Sequence, residues 1–351
     1  MKAFILLSVI SNILLANLDV RLNIAPPAAN FTLKGELTAS TSQGAVIVSG
    51  KQFDLKADKS GISLNGQKTN ANLIKITSPD LIEVGSRKFR KVIEVKQAAG
   101  KLSLIHTLGM ESYIIGVISS ELPSSWPLEV LKAQAIAART YAVWQRSVKE
   151  QLESSVMDQV YHGVQREHPL AKQAVEETDG QVLTFDSKPA HTYFHAACGG
   201  HTASSTEAFG GSEPYLKGVS CSYCHDAPTY RWKYELSRQD LNRKLGAKID
   251  NMEPLGESAS SRVISFRFKS KPKLADMKAV EVRKALGYDK FRSTLITKHS
   301  IGWSKAEFAG RGHGHGVGMC QWGALKMAKL GKTSEQILEH YYPGTEIRKF
   351  Y

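Results

Sequence analysis

Glu121 closes the apolar run Y-I-I-G-V-I-S-S-E and is followed at once by Leu122 and Pro123. Tyr113, Ile114, Val117 and Ile118 recur at helical spacing, and the proline pushes the residue before it out of the α region. The carboxyl group therefore sits at a helix C-terminus, the negative end of the helix dipole, in partly apolar surroundings. Both influences disfavour the carboxylate and raise its pKa, which is what a general acid requires. Arg139 falls inside an alanine-rich run with alanines at 133, 135, 137, 138 and 142. An unpaired guanidinium is expensive there, so it too calls for a role. The plainer alternatives are a solvated Glu121 and an Arg139 paired with a structural carboxylate.

The four cysteines are Cys198, Cys221, Cys224 and Cys320. The C-x-x-C spacing of Cys221 and Cys224 lets two thiolates on one turn share a metal. With Cys198 they make three ligands. Cys320 would give four thiolates, whereas His195, His201 or His225 would give three thiolates and one imidazole. Disulfides compete with this reading, because an exported chain meets an oxidising compartment. Metal is preferred, since a bond within C-x-x-C is usually redox-active and not structural. The expected cofactor is one structural zinc that organises loops, not one that activates water.

A late loop carries glycines at 310, 312, 314, 316, 318 and 323. It has no G-K-[ST] and no G-x-G-x-x-G opening a helix after a strand, so no nucleotide or organic cofactor is expected. If the loop is extended, His313 and His315 share a face, with Gln321 and Trp322 following near a helix start. An aromatic platform, imidazoles and an amide are the parts of a sugar site. The alternative is a structural turn whose histidines bond the backbone.

These groups must be positioned by an α+β chain. The first helix stops at Pro123, and the second is expected to start at Pro127, with Glu129 in its first turn. Its small residues on several sides predict a helix enclosed by neighbours. Residues 25–100 read as short β-branched strands separated by polar turns such as Asn65-Gly66. Further on, a helix is predicted over 171–178 and strands over 181–185 and 190–195. Alternation in the latter puts His191, Tyr193 and His195 on one face. Helices over 237–245 and 278–286, a strand over 263–268 and a capping box from Thr333 to Gln336 complete the reading.

A chain of 351 residues with net charge +13 fits a polyanionic neighbourhood. There is no zinc-finger spacing, RNP signature or clear helix-turn-helix, so no nucleic-acid partner is expected. The bacterial wall with its anionic polymers is the other candidate, although spread charge also suits an ordinary solvated surface. Residues 1–18 hold one lysine followed by an apolar stretch, which reads as a signal peptide or N-terminal anchor. Ala16-Asn17 is the candidate cleavage site. The protein is thus expected outside the cytoplasm, in the periplasm or on the outer face of the cytoplasmic membrane.

Three motifs carry a resemblance. The run E-S-Y-I-I-G-V-I-S-S-E-L-P-S-S-W-P-L-E-V-L-K-A-Q-A-I-A-A-R-T-Y-A resembles the signature of the SpoIID family, stage II sporulation protein D, which includes the LytB amidase enhancers. Y-F-H-A-A-C-G-G-H-T with E-P-Y-L-K-G-V, and G-R-G-H-G-H-G-V-G-M-C-Q-W-G-A, are similar to its other signatures. The likeness runs from about Arg87 to the C-terminus. It implies a SpoIID-type catalytic domain over 87–351, of mixed helix and antiparallel sheet, preceded by a β-rich region over 25–86. It also implies a peptidoglycan lytic transglycosylase that cleaves the MurNAc-β-1,4-GlcNAc bond and leaves 1,6-anhydro ends. Glu121 would then be the acid/base, and Arg139, matching the family's arginine, would pair with charge near the site. His195, His313, His315, Gln321 and Trp322 would contact sugar. Some family members carry zinc in this part of the fold. The expected partners are glycan strands and a cell-wall amidase. Two other readings remain: a non-catalytic enhancer of such an amidase, and a hydrolytic muramidase leaving reducing ends.

Overall fold

The computed structural model describes residues 18–155 and 157–351. The expected signal segment lies outside the described residues but for its last position. The chain divides into two compact units, one of residues up to Val182 together with Arg348–Tyr351, the other of Leu183–Ile347.

In the first unit the β-branched runs form β1 (Asp19–Asn23), β2 (Asn30–Thr41), β3 (Val46–Asp58), β4 (Gly61–Leu64), β5 (Gln67–Lys68), β6 (Leu73–Val84), β7 (Arg87–Ala98), β8 (Lys101–Gly109) and β9 (Leu152–Glu153). They make one nine-stranded sheet in the order β5-β4-β3-β2-β6-β7-β8-β1-β9. Neighbours are antiparallel except β1 and β9. Period-two alternation buries Leu33, Phe53, Ile74, Ile76, Phe89, Ile93, Val95 and Leu104 on one side. Asn65 and Gly66 both have positive φ, 49° and 83°, the conformation that a tight two-residue hairpin demands. The expected division near residue 86 falls in the turn between β6 and β7, which pair along their length.

β8 runs directly into α1 (Met110–Glu121), and α2 (Leu128–Val148) follows the proline turn. Leu122 is extended, φ −123° and ψ 143°, because Pro123 forbids it the helical region. Pro127 serves as N-cap with ψ 148°, so the second helix begins one residue later than expected. Every residue from Val130 to Val143 is buried except Lys132, so α2 is enclosed on all sides, as the alanines predicted. A Cβ at Gly116 would stand 2.2 Å from the ring of Tyr161, so the glycine lets that ring lie on α1. α1, α2 and α3 (Pro169–Glu177) pack together.

The remaining strands are β10 (Gln181–Phe185), β11 (Lys188–Pro189), β12 (Phe194–His195), β13 (Arg231–Ser237), β14 (Lys248–Glu257), β15 (Val263–Lys271), β16 (Met277–Lys278), β17 (Ile296–Ile301), β18 (Lys305–Arg311), β19 (Met319–Cys320) and β20 (Glu346–Lys349). The helices are α4 (Ser205–Phe209), α5 (Arg238–Leu245), α6 (Ala279–Leu286), α7 (Gln321–Lys329) and α8 (Ser334–Tyr341). Trp232, Leu241, Ile249, Phe266, Val282, Phe291 and Phe308 belong to the core of this unit. Ser237 caps α5, and the Thr333–Gln336 capping box opens α8. The combination of helices and largely antiparallel sheets is the α+β class expected.

The strand predicted over 190–195 shrinks to β12, which pairs in parallel with the equally short β19. Upstream no ladder with β19 forms, and the backbone bonds partly to tyrosine hydroxyls and partly to isolated main-chain groups. The His191 N–H donates to the Tyr215 hydroxyl at 2.8 Å, and the Tyr193 carbonyl accepts from Met319 N–H and Tyr342 Oη.

Candidate functional site

Glu121 is the last residue of α1 and is half-buried. Its Oε1 accepts the Val160 N–H at 3.1 Å. One residue earlier, the Ser120 hydroxyl accepts the His162 N–H at 3.1 Å and donates to the Gly116 carbonyl at 2.7 Å. Residues 160–162 are thus stapled to the helix end, and the carboxyl is fixed by a main-chain donor. The staple is itself anchored. Asp158, with a 2% exposed side chain, pairs with Lys149 at 2.5 Å and accepts from Tyr141, Gln145 and the Glu153 N–H. Gln159 accepts from the Tyr113 hydroxyl and donates to the Ala138 carbonyl. Burial, then the charge of Asp158, pushes the Tyr113 phenol well above its usual range, so it stays a neutral donor. Sequence reasoning missed this segment. It is polar, lacks periodicity and carries no motif.

Arg139 is fully buried. Its fork meets Glu111, Nε to Oε1 at 2.9 Å and Nη2 to Oε2 at 2.5 Å, while Nη1 donates to the Gln181 carbonyl at 3.1 Å. The Tyr351 hydroxyl also donates to Glu111. The charge pairing expected near the site is therefore made elsewhere. Glu111 lies in the first turn of α1, ten residues from Glu121 and so about 15 Å along the axis. The plainer alternative, a structural carboxylate, describes the observed contact.

Cys198, Cys221, Cys224 and Cys320 belong to the second unit, as do the histidines, Gln321 and Trp322. The four Sγ atoms are buried and lie within 4.8 Å of one another. Cys198 and Cys224 are 3.4 Å apart, well beyond the roughly 2.05 Å of a disulfide. Four ligands tetrahedrally placed at about 2.3 Å from zinc would stand roughly 3.8 Å apart, so the donor set has the right type and spacing. Backbone N–H groups point at the sulfurs, from Cys198 and Gly323 to Cys320 at 3.3 Å and from Gly200 to Cys198 at 3.5 Å. The hydrogen bond from Cys198 holds the Cys224 thiol well below the usual thiol range. Of the possible fourth ligands, Cys320 is the one gathered here. His195 Nδ1 instead bonds the Val317 carbonyl at 3.1 Å, and His201 Nδ1 bonds that of Thr202 at 2.7 Å.

Arg262, 4% exposed, supports this cluster and was not singled out in the sequence. Nη2 donates to the Cys198 carbonyl at 2.7 Å and Nη1 to that of His201 at 3.1 Å. A Cβ at Gly316 would lie 2.4 Å from Nη2, so that glycine makes room for the guanidinium.

The glycine loop is not extended. Gly312, Gly314, Gly316 and Gly318 all have positive φ, so alternation does not govern where its histidines point. His315 joins a ring cluster with His195 at 5.5 Å, Tyr193 at 5.7 Å and Phe209 at 5.4 Å. His191 stacks on Tyr193 at 4.1 Å. His315 Nδ1 accepts the Val317 N–H at 3.0 Å. Burial, then Arg283, brings His315 down to about 3; burial also holds His195 well below its ordinary value, so both are neutral imidazoles at physiological pH. The His313 backbone bonds Ala197, and its ring is depressed by burial and then by Arg283 and Arg292. Gln321 and Trp322 open α7, the former buried, and the Trp322 N–H donates to the Ala196 carbonyl at 3.1 Å.

The SpoIID family, described as Stage II sporulation protein, matches residues 98–185, and a family described only as a domain of unknown function matches 216–318. An uncharacterized protein of Brachyspira hyodysenteriae is 31% identical over 93% of this chain and 89% of its own. The Stage II sporulation protein D of Bacillus subtilis is 31% identical over 69% of this chain and 75% of its own. The Amidase enhancer of the same organism is 27% identical, covering 91% of this chain and 53% of its own. On this match and these identities, the chain belongs to the SpoIID family, that of stage II sporulation protein D.

Proposed function

We propose that this protein is a lytic transglycosylase that cleaves peptidoglycan glycan strands between N-acetylmuramic acid and N-acetylglucosamine. Membership of the family supports a cell-wall-related function in general. The observation that carries the finer reading is Glu121, a carboxyl at a helix end held by the Val160 N–H. In such chemistry one carboxyl serves twice. As an acid it gives its proton to the glycosidic oxygen as the C1–O bond breaks. As a carboxylate it then takes the proton of the muramoyl 6-hydroxyl, whose oxygen bonds C1 and closes the 1,6-anhydro ring. No water is consumed, and no second carboxylate at the roughly 5 Å of retaining hydrolases is required. The neutral His195 and His315, with Gln321 and Trp322, supply hydrogen-bonding and stacking groups suited to sugar.

Mass analysis of products from purified protein and glycan strands tests this. Anhydro ends are expected, and reducing ends would assign a hydrolytic muramidase instead. The relative named amidase enhancer supports a second reading, in which the protein stimulates a cell-wall amidase without cleaving anything. No product without an added amidase would establish it.

Within the same proposal, Cys198, Cys221, Cys224 and Cys320 hold one zinc ion. Closed four-thiolate coordination makes it structural: it would tie the loop after β12, the 221–224 turn and the start of α7 together. The purified protein is expected to carry about one zinc per chain by elemental analysis. Replacing Cys221 and Cys224 with serine should remove the metal and lower the melting temperature. Two intact disulfides with no metal would refute the assignment.

The chain is also proposed to be exported. A fusion of alkaline phosphatase after residue 30 should be active in cells; an inactive fusion would count against a wall substrate.

A further inference from the structure

A cavity of about 520 Å³ opens in the second unit between α4, the start of β15 and the start of α6. Its lining includes three cations, Arg262, Arg283 and Lys278, and the apolar Phe209 and Ile264. Phe209 and Ile264 are 49% and 54% exposed, so both leave apolar surface open to a ligand's own apolar group.

The two arginines are balanced only at a distance: Glu207 acts on Arg262 and Asp289 on Arg283, but neither carboxylate makes an ion pair with them. Of the acids on its wall, Glu207 accepts the Ser260 hydroxyl at 2.5 Å, and Glu281 is exposed in the first turn of α6. Arg283 donates Nε to the Phe291 carbonyl at 3.1 Å and stacks on Tyr288 at 4.6 Å. Among the described residues no carboxylate lies within ion-pair distance of it. Arg262 keeps a buried Nε with no acceptor. A desolvated guanidinium without a carboxylate in contact is expensive, and its planar fork fits one in bidentate fashion. Burial takes Arg283 down to about 10, and burial, then the charge of Arg283, depresses His313 and His315.

We propose that this cavity binds a carboxylate that stands beside a small apolar group, the carboxylate on the free nitrogens of Arg283 and the apolar group against Phe209 and Ile264. The volume suits one sugar or a dipeptide. The choice of ligand rests on the wall reading above. In wall polymers this chemistry occurs in two places: the lactyl acid of an acetamido sugar, and the terminal alanine of a short peptide.

The test is isothermal titration of the full chain with N-acetylmuramic acid, its carboxamide, N-acetylglucosamine, N-acetyl-D-alanyl-D-alanine and inorganic phosphate. At least one of the two acids is expected to bind, and which of them binds more tightly names the source. The carboxamide should be weaker than its acid by about ten-fold or more, the loss expected when a charged hydrogen bond is removed. Arg283→Gln should weaken the acid by a similar factor, and Glu121→Gln should leave it unchanged. If Arg283→Gln does not fold, the acid and carboxamide compared on the unaltered chain still decide. Equal binding of acid and carboxamide, no binding of either acid, or phosphate binding as tightly as both would overturn the proposal. The outcomes separate from those of the previous section: a chain that cleaves strands but ignores the acids loses only this inference, and one that binds an acid but cleaves nothing loses only the transglycosylase.

Discussion

Glu121→Gln is expected to lower glycan-strand cleavage by about 10²–10⁴, or below detection, which is the usual contribution of general acid–base catalysis. The change is isosteric. The amide oxygen can still accept the Val160 N–H, so residues 160–162 should stay in place and the melting temperature should barely move. What is lost is the proton, which an amide can neither give nor take. Glu129→Gln is the matched control: it sits in the first turn of α2, where its carboxylate meets Lys132 at 3.0 Å. An i,i+3 pair of this kind is worth about 0.2–0.5 kcal/mol, so both activity and stability should be nearly unchanged. Glu111, on the same helix as Glu121, does not serve as a control, because it neutralises Arg139. Wild-type cleavage by Glu121→Gln would remove the catalytic assignment whatever the family.

The second large effect is on stability. Glu111→Ala should destabilise the first unit by about 3–5 kcal/mol, the cost of leaving a buried charge without its partner. The asymmetry of the pair makes the prediction specific. Arg139 is fully buried, whereas the Glu111 side chain is 28% exposed. Removing the carboxylate strands the guanidinium away from water; removing the guanidinium, as in Arg139→Met, leaves a carboxylate that water can reach. Arg139→Met should therefore cost less than Glu111→Ala, and the double variant should cost less than the sum of the two. Shifts of the urea midpoint at constant m-value measure this. Equal and small losses in both single variants would show that the pair contributes little.

The two expectations drawn for the alanine-rich helix fared differently for one physical reason. That α2 is enclosed on every side follows from its own residues, because alanines leave no side free for solvent-facing chains. Which carboxylate meets Arg139 does not follow, since Glu111, Glu121 and Glu129 are all near in sequence. The pairing depends on how α1 lies along α2, and on the chain end that brings Tyr351 to Glu111.

What the sequence by itself determined is the local physics. The 3.6-residue periodicity and Pro123 end α1 at Glu121, Ser237 and the Thr333 box set helix starts, and Asn65-Gly66 makes its hairpin. C-x-x-C likewise put two cysteines on one turn, and three long motifs pointed to the family. Only the tertiary structure decided the long-range meetings. Cys198 reaches Cys320, 122 residues away, because β12 and β19 pair over two residues each, too short a ladder to leave a pattern. The same shortness undid the strand expected over 190–195, whose backbone bonds are split between tyrosine hydroxyls and isolated main-chain partners. The staple on Glu121 was equally silent, for it is made by backbone N–H groups of residues 160 and 162, and every residue but proline carries one of those.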